Sequence, residues 1–271
     1  MDLGLTNRVA LVAGASEGLG YATALALAKE GCRVAICSRS KERIEAAARQ
    51  MIEEGRVAEE QVLPLVCDVT NEDAIMKVMF EVTEQWGGFN ILITNAGGPP
   101  AGYIDNFSAD QWREALELNL ISTINLCRHG LPLLKKAAAA PDALSRVLMI
   151  TSVSARQPIP NLYLSNTSRA GVQGFAKSLS LELGPLGITV NTIMPGYTKT
   201  ARLNDLSTAI QEQTGKTAEE IERGWAEDNA LKRLGEPAEF AAAATFLVSK
   251  PAGYITGVGL VVDGGRVKHL L

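Results

Sequence analysis

Short runs rich in Val and Ile alternate along the chain with longer segments of amphipathic pattern, and this alternation constrains the fold more than any other feature. The apolar runs are 8–13, 33–37, 61–67, 91–94, 146–152, 188–193 and 260–262. The helix-length segments are 19–30, 41–54, 71–85, 109–136, 165–183 and 237–249. Runs that are hydrophobic almost throughout are typical of parallel strands covered on both faces. The sequence therefore predicts an α/β fold with a doubly wound, parallel, seven-stranded sheet and helices on both faces.

The spacing of these elements predicts a single domain over residues 1–271. No linker rich in Pro, Gly or Ser divides the chain, and no internal repeat is present. Two segments interrupt the alternation: 137–145, a small loop insertion, and 198–236, which is longer, polar and weakly helical. A long segment near the carboxyl ends of strands is a candidate substrate lid. The alternative is a surface excursion without a catalytic role.

Composition narrows the class of protein. A net charge of −4 argues against a general nucleic-acid surface, and the longest apolar runs fall well short of the roughly 18 residues needed to span a bilayer. The N-terminus carries neither a basic region nor an apolar signal segment, so we expect a cytoplasmic protein without a membrane partner. Two histidines and four cysteines without a Cys-x-x-Cys pair predict no metal site.

A glycine-rich turn follows the first apolar run and opens the first helix-length segment. It reads GASEGLG over 14–20, a G-x-x-x-G-x-G spacing that differs from the G-x-G-x-x-G of the general dinucleotide fingerprint. Glycines here permit close approach of the backbone to a pyrophosphate, which then meets the free N–H groups of a helix N-terminus. The turn predicts a nucleotide site made by Gly14, Ser16, Glu17, Gly18, Leu19 and Gly20.

The end of the second apolar run bears on which nicotinamide dinucleotide is bound. An acidic residue there binds the 2′-hydroxyl of the adenosine ribose, whereas an arginine suits a 2′-phosphate. The chain has Ser38, Arg39 and Ser40 and no acid, so NADP(H) is favoured over NAD(H). Two observations weigh against this preference: Glu17 would repel a 2′-phosphate, and an arginine in this position can also be a solvated surface charge.

Over roughly residues 5–265 the chain resembles the short-chain dehydrogenase/reductase family, which implies a Rossmann-type sheet. The turn at 13–20 is similar to the family's T-G-x-x-x-G-x-G, the run TNAG at 94–97 to N-N-A-G, and 233–265 to its C-terminal signature. The resemblance adds the cofactor-binding positions Asp68, Val69, Asn95, Ala96, Gly97, Arg169, Pro195, Gly196, Thr198 and Thr200.

That family transfers a hydride between a nicotinamide and a carbonyl or alcohol. A Ser binds the substrate oxygen, a Tyr thirteen residues later is the acid/base, and a Lys four residues after the Tyr lowers its pKa and holds the ribose. Ser152 matches the Ser, and Asn119 matches a helix Asn that holds a water of the proton relay. The Tyr and Lys positions, however, fall on Ser165 and Arg169.

This replacement changes the chemistry that the resemblance implies. A Ser hydroxyl is far less acidic than a phenol, whose pKa is about 10, and Arg keeps its proton because its pKa exceeds about 12. Arg169 can therefore hold a ribose or stabilise an oxyanion but is a poor proton shuttle. The proton would come from water, Ser165, Tyr163 or the substrate. Tyr163 either places its hydroxyl in the vacated position or packs at the helix entry, and Tyr197 and Tyr103 are expected to line the pocket.

Three functions are consistent with these residues. The first is an atypical NAD(P)(H)-dependent oxidoreductase in which Ser152 orients the substrate oxygen and Arg169 holds ribose and polarises the carbonyl. The second is a catalytically silent nucleotide-binding homologue that acts as a sensor, scaffold or oligomer partner. The third resembles the halohydrin dehalogenases, which use Arg at this position but lack the nucleotide site that the glycine-rich turn retains here. The family resemblance also implies a homotetramer or homodimer built on 109–136 and 165–183, with a small-molecule substrate and no nucleic acid.

Overall fold

The computed structural model describes residues 1–268, in which seven parallel strands form one sheet. The strands are β1 (Val9–Ala13), β2 (Arg33–Ser38), β3 (Val62–Val66), β4 (Ile91–Thr94), β5 (Ser145–Ile150), β6 (Ile188–Pro195) and β7 (Gly259–Val262). Their order across the sheet is β3-β2-β1-β4-β5-β6-β7, and every neighbouring pair is parallel. β1, β4 and β5 are buried along their whole length, as expected for mainly apolar central strands.

Helices cover both faces of this sheet. They are α1 (Gly18–Lys29), α2 (Lys41–Gly55), α3 (Glu72–Trp86), α4 (Ala109–Leu116), α5 (Ser122–Ala138), α6 (Tyr163–Leu183), α7 (Ala201–Thr214), α8 (Ala218–Asp228) and α9 (Pro237–Leu247). Apolar residues of α1, α2 and α9 form the core on one face, and those of α3, α5 and α6 form the core on the other. The predicted doubly wound fold is confirmed.

Two predicted elements differ from the structure. The expected single helix over 109–136 is interrupted by a π-helical turn, Glu117–Ile121, which separates α4 from α5. Such a turn holds one extra residue, so its apolar spacing passes for α-helix in a sequence. The polar segment 198–236 is more helical than expected, because α7 and α8 lie within it and threonines cap them, Thr200 and Thr217 respectively.

Smaller shifts at element ends matter for the site. β5 ends at Ile150, so Ser152 lies beyond the strand, at the N-cap of a 3₁₀ turn. α6 begins at Tyr163, two residues earlier than predicted, and Asn71 caps α3. No helix among residues 1–268 is long and apolar enough to cross a bilayer.

Candidate active site

The order of the strands reverses between β1 and β4, and the candidate site lies at the carboxyl ends of these two strands. From β1 the chain winds outward through β2 and β3, then crosses back to β4 on the other side. In open α/β sheets a crevice forms where the connections diverge in this way, and ligands bind there. The glycine-rich turn follows β1 and the TNAG run completes β4, so the sheet itself brings these two motifs together.

The glycine-rich turn has a shape that only glycine permits. Gly14 and Gly18 have φ values of 59° and 62°, in the left-handed region that side chains disfavour. A Cβ on Gly20 would overlap the carbonyl oxygen of Gly14, so the start of α1 presses directly against the turn. Asn95 donates from Nδ2 to the same carbonyl oxygen at 3.0 Å, which ties the turn to the end of β4.

The turn fits the phosphates of a dinucleotide. α1 begins with Glu17 at the N-cap position, but that side chain makes no capping hydrogen bond and the first turn of α1 carries no acidic residue. The first N–H groups of the helix therefore have no capping side chain of their own and are suited to bind an anion. Ser16 and Leu19 lie within this same turn, as the sequence predicted.

Charge at the end of β2 differs from what the sequence alone indicated. Arg39 is exposed, and Ser40 caps α2 by accepting a hydrogen bond from the backbone N–H of Arg43 at 3.3 Å. Glu17, which would repel a 2′-phosphate, forms an ion pair with Arg43. Arg43 was not identified from the sequence, since nothing in its local pattern connects it with the glycine-rich turn. The one feature of the sequence that could have indicated its role is its position in the first turn of α2, four residues after Arg39.

Two further predicted cofactor positions follow β3. Asp68 accepts hydrogen bonds at Oδ1 from the backbone N–H of Thr70, at 3.0 Å, and from its hydroxyl, at 2.8 Å. These bonds fix the turn between β3 and α3 and orient the carboxylate. Val69 is buried beside it. Ser38, at the end of β2, donates to the carbonyl oxygen of Ser40 at 3.3 Å.

Asn119 lies in the π-helical turn and points back toward β4. It is 1% exposed, and its Nδ2 donates to the carbonyl oxygen of Gly97 at 3.2 Å. Its Oδ1 is buried and has no hydrogen-bond partner in residues 1–268. A buried amide oxygen without a partner is costly, so this atom is suited to accept a hydrogen bond from a water or ligand. π-Helical turns are often found at functional sites. Here the turn carries Asn119, whose side chain points back toward β4.

Arg169 is held at the centre of the site by two backbone carbonyls. On α6 it is only 8% exposed, with Nη1 donating to Ile150 O at 3.1 Å and Nη2 to Ala96 O at 3.4 Å. Its Nε is buried and lacks a partner among the described residues. Burial, and secondarily the positive charge of Arg202, lowers the pKa of the Arg169 guanidinium to about 10. Arg169 is thus a cation at neutral pH with unused hydrogen-bonding capacity.

Three serine hydroxyls lie beyond the end of β5. Ser152 accepts a hydrogen bond at Oγ from the backbone N–H of Ser154, at 3.1 Å, and Ser154 Oγ lies 3.5 Å from Ser165 Oγ. The structure therefore places Ser165, on α6, beside the small turn that contains Ser152 and Ser154. Ser154 was not identified from the sequence. Its position two residues after Ser152 was the signal.

The tyrosines occupy different surroundings. Tyr163 is 42% exposed on the first turn of α6, and its hydroxyl has no hydrogen bond within residues 1–268. Tyr103 is exposed in the loop after β4. Tyr197 is packed: its ring stacks on Trp225 at 4.9 Å, its hydroxyl accepts from Arg266 at 3.2 Å, and burial raises its pKa. Of the three, only Tyr197 is fixed by its neighbours.

The segment after β6 passes over the glycine-rich turn. Pro195 ends the strand, and Gly196 lies so close to Asp263 that a Cβ would be 2.6 Å from the aspartate Cβ. Thr200 caps α7, and its methyl group lies 3.7 Å from the position of a Cβ on Gly18. Thr198 is buried and donates to the carbonyl oxygen of Gly196 at 3.4 Å. The start of α7 is thereby placed against the phosphate-binding turn.

α7 and α8 have an apolar cluster of their own. Leu203, Ile221, Trp225 and Leu234 are its buried members, with Tyr197, Leu206 and Ile210 packed against them. Arg202, in the first turn of α7, extends away from this cluster and donates from Nη2 to the carbonyl oxygen of Pro99 at 2.9 Å. Arg202 was not identified from the sequence, because a contact across 103 positions leaves no local pattern.

Comparison with known proteins places the chain among reductases. Residues 14–266 match the family model described as Enoyl-(Acyl carrier protein) reductase. The chain is 32% identical over 267 residues to "Dehydrogenase/reductase SDR family member 4" of Sus scrofa, covering 98% of this chain and 89% of the relative. It is also 32% identical over 264 residues to the 3-oxoacyl-(acyl-carrier-protein) reductase FabG of Vibrio cholerae, covering 97% and 98% of the two chains.

A solved structure of a reductase is also similar to this chain. L-Sorbose reductase from Gluconobacter frateurii, in complex with NADPH and L-sorbose, superposes with a TM-score of 0.91 at 29% identity, covering 100% of both chains. The likeness extends over the whole fold, from the glycine-rich turn to β7.

Proposed function

The chain belongs to the short-chain dehydrogenase/reductase family, and we propose from this premise that it is an atypical NADP(H)-dependent oxidoreductase. Its reaction would interconvert a carbonyl compound and the corresponding alcohol. The observation that carries the proposal is the combination of a glycine cradle for phosphates with a buried, charged Arg169 whose Nε has no partner in the described chain. L-Sorbose reductase, which shares the fold, was crystallised with NADPH.

The cofactor would be held by residues at the carboxyl edge of the sheet. The turn at Gly14–Gly20 binds phosphates through backbone N–H groups, and Asp68 with Val69 flanks the adenine. Ala96, Gly97, Pro195, Gly196, Thr198 and Thr200 line the remaining length of the crevice. When bound, the nicotinamide supplies or accepts the hydride.

The preference for NADP(H) rests on charge. Arg39 is exposed at the end of β2, and Arg43 neutralises Glu17, which otherwise opposes a 2′-phosphate. With the charge of Glu17 offset by Arg43, the guanidinium of Arg39 would bind the 2′-phosphate. We therefore expect binding of NADPH to be tighter than that of NADH, and Arg39→Gln to reduce this difference.

The chain's own residues would divide the chemistry in an unusual way. Ser165 and Arg169 stand in the places that the family resemblance assigns to Tyr and Lys. Arg169 stays protonated, so it orients the ribose and stabilises negative charge on the carbonyl oxygen without moving a proton. Ser152 hydrogen-bonds the same oxygen, and Asn119 Oδ1 holds a water. The proton comes from water, Ser165, Tyr163 or the substrate.

The second candidate is a nucleotide-binding protein that catalyses no reaction. Its supporting observation is that Tyr163, one of the candidate acids, is exposed on the first turn of α6. Both candidates require cofactor binding, and only the first requires hydride transfer. Segment 198–236 closes over the substrate in the first and stabilises the bound nucleotide in the second.

Binding and turnover separate the two candidates. Binding of NADPH and NADH is measured by calorimetry, and oxidation of NADPH by absorbance against a panel of aldehydes and ketones. The oxidoreductase predicts turnover that falls about a hundredfold or more in Arg169→Ala, because a buried cation at a developing oxyanion is lost. Binding without turnover on any carbonyl would favour the silent homologue.

Tyr163→Phe then assigns the proton donor. If Tyr163 is the acid, removal of its hydroxyl abolishes turnover while NADPH binding is unchanged. Full activity of Tyr163→Phe excludes this role and leaves water, Ser165 or the substrate. Absence of binding to either dinucleotide would contradict both candidates.

A further inference from the structure

Arg202 closes the crevice from the side of segment 198–236. Its guanidinium lies flat over Gly98 in the loop after β4: a Cβ there would be 3.0 Å from Nη2, 3.1 Å from Nε and 3.3 Å from Cζ. Nη2 donates to the carbonyl oxygen of Pro99 at 2.9 Å. Only a residue without a side chain at position 98 allows this approach. Arg202 is thus placed by two elements, α7 and the loop after β4.

The same loop also anchors Arg169. Arg169 donates to the carbonyl oxygen of Ala96, three residues before the Pro99 carbonyl that accepts from Arg202. Two guanidinium groups therefore converge on the run 96–99. They interact as like charges, since the positive charge of Arg202 contributes to lowering the pKa of Arg169.

No carboxylate balances this pair within the described chain. Neither Arg169 nor Arg202 belongs to any ion pair in residues 1–268. Their backbone acceptors are neutral carbonyls, and Arg169 Nε has no acceptor there at all. Two adjacent cations without a counterion, one of them buried, form a site of strong positive potential.

We propose that Arg202, supported by the positive charge of Arg169 beside it, binds an oxyanion group of the substrate, so that the enzyme acts on carbonyl compounds that carry a carboxylate or phosphate. Arginine suits both groups because its planar fork matches two oxygens at once. The inference rests on the proposed function, since it names the substrate class of that same site. An anion beside both guanidinium groups reduces their mutual repulsion.

The substrate is favoured over the cofactor as the source of this oxyanion. The pyrophosphate already has the N-terminus of α1, and the residue of α7 that lies against that turn is Thr200, not Arg202. Arg202 reaches past it to Gly98 and Pro99, on the side of Arg169. The test has separate arms for the two sources.

The test compares anionic carbonyl compounds with neutral partners of matched shape. The pairs are oxo acids of increasing length with their methyl esters, and dihydroxyacetone phosphate with dihydroxyacetone. The wild type is expected to prefer the anionic member. Arg202→Gln should lower kcat/KM for that member roughly ten- to hundredfold and leave the neutral member unchanged, because a charge-assisted hydrogen bond is lost. Arg202→Lys keeps the charge and should retain part of the preference.

Arg223→Gln is the matched control, since Arg223 is exposed on α8 of the same segment and the charge change is identical. It should leave the preference intact. A larger Kd for NADPH in Arg202→Gln, with equal losses on both members of each pair, would assign the guanidinium to the pyrophosphate and overturn the proposal. A wild type without preference for the anionic member overturns it as well.

A binding arm separates this inference from the proposed function. Stabilisation of the NADPH-loaded protein against thermal unfolding is measured with each oxo acid and each ester. If stabilisation by the acids is present in the wild type and absent in Arg202→Gln while no compound is reduced, the oxyanion site stands and the oxidoreductase function fails. If carbonyls are reduced but acids and esters stabilise the protein equally, the function stands and the site fails.

Discussion

At the scale of single residues, Arg169 differs from a lysine in the same place in how firmly it keeps its proton. A lysine loses its proton readily when it is buried, whereas the guanidinium keeps its proton even under strong desolvation. The pKa of Arg169 is lowered by burial but stays at about 10, so the side chain is charged over the whole physiological range. A fixed cation stabilises an oxyanion equally well at every pH below that value.

This difference gives a prediction about pH. Wild-type kcat/KM should be independent of Arg169 ionisation from pH 6 to roughly pH 9, since the cation is lost only as pH rises through about 10. In Arg169→Lys, burial should bring the pKa of the ammonium below its ordinary value of about 10.4. A descending limb should then appear at lower pH than in the wild type.

The measurement is a pH profile of kcat/KM for both proteins under identical substrate and salt conditions. Cofactor binding at each pH provides the control for a general loss of structure. Superimposable profiles would show that burial does not lower the pKa of a lysine at position 169, and would contradict the prediction.

At the scale of elements, the glycine-rich turn and α1 act as one unit. The turn gains its shape from Gly14 and Gly18, and the close approach of α1 from Gly20. Asn95 locks this unit to β4. A change at any of these points affects the geometry of the phosphate site before it affects the core of the sheet.

Gly20→Ala tests this coupling. The added Cβ overlaps the carbonyl oxygen of Gly14 and lies 2.9 Å from Asn95 Nδ2, so the turn and α1 must separate. We expect a loss of about 1–3 kcal/mol in unfolding free energy, as for other overpacked sites, and a large loss of NADPH affinity. Denaturant unfolding and calorimetry measure the two effects.

Gly224→Ala is the control for the same substitution. Gly224 is exposed within α8, and a Cβ there meets nothing within 4 Å. Alanine in a helix interior should raise the unfolding free energy by about 0.5–1 kcal/mol and leave NADPH binding unchanged. A stable Gly20→Ala protein with wild-type affinity would show that the close approach of α1 is dispensable.

The elements differ in how far their sequences predicted them. The turn at 14–20 and the buried strands were predictable, because glycine spacing and apolar runs are local patterns that can be seen in a few consecutive residues. The π-helical turn around Asn119 was not, since one inserted residue hardly alters the apolar spacing. The Glu17–Arg43 pair and the Arg202–Pro99 contact were not either, because they depend on packing between separate segments.

At the scale of the whole molecule, several large apolar side chains remain in contact with solvent. Leu181 on α6 is 71% exposed, and Leu260 is exposed on β7, an edge strand whose outer side pairs with no strand in residues 1–268. Open edges and exposed apolar helix faces are commonly covered by a second chain. Both features support the expectation of a homodimer or homotetramer.

Light scattering coupled to size-exclusion chromatography measures the oligomeric state. The wild type should elute with at least twice the mass of one chain, and Leu181→Asp or Leu260→Asp should shift the distribution toward monomer. Leu231→Asp is the control, because Leu231 is exposed in a turn after α8, on neither an edge strand nor a helix face. A monomeric wild type at micromolar concentration would contradict the prediction.

The hydrogen bond from Asn95 to Gly14 has a thermodynamic consequence. It joins the ends of two buried central strands. The phosphate-binding turn is therefore held in shape by the sheet before a ligand binds. A dinucleotide that docks on such a preformed surface orders little backbone, and its association loses little conformational entropy. The heat-capacity change of binding should therefore match the apolar area that the nucleotide itself covers, without the larger negative contribution of a loop that folds around it.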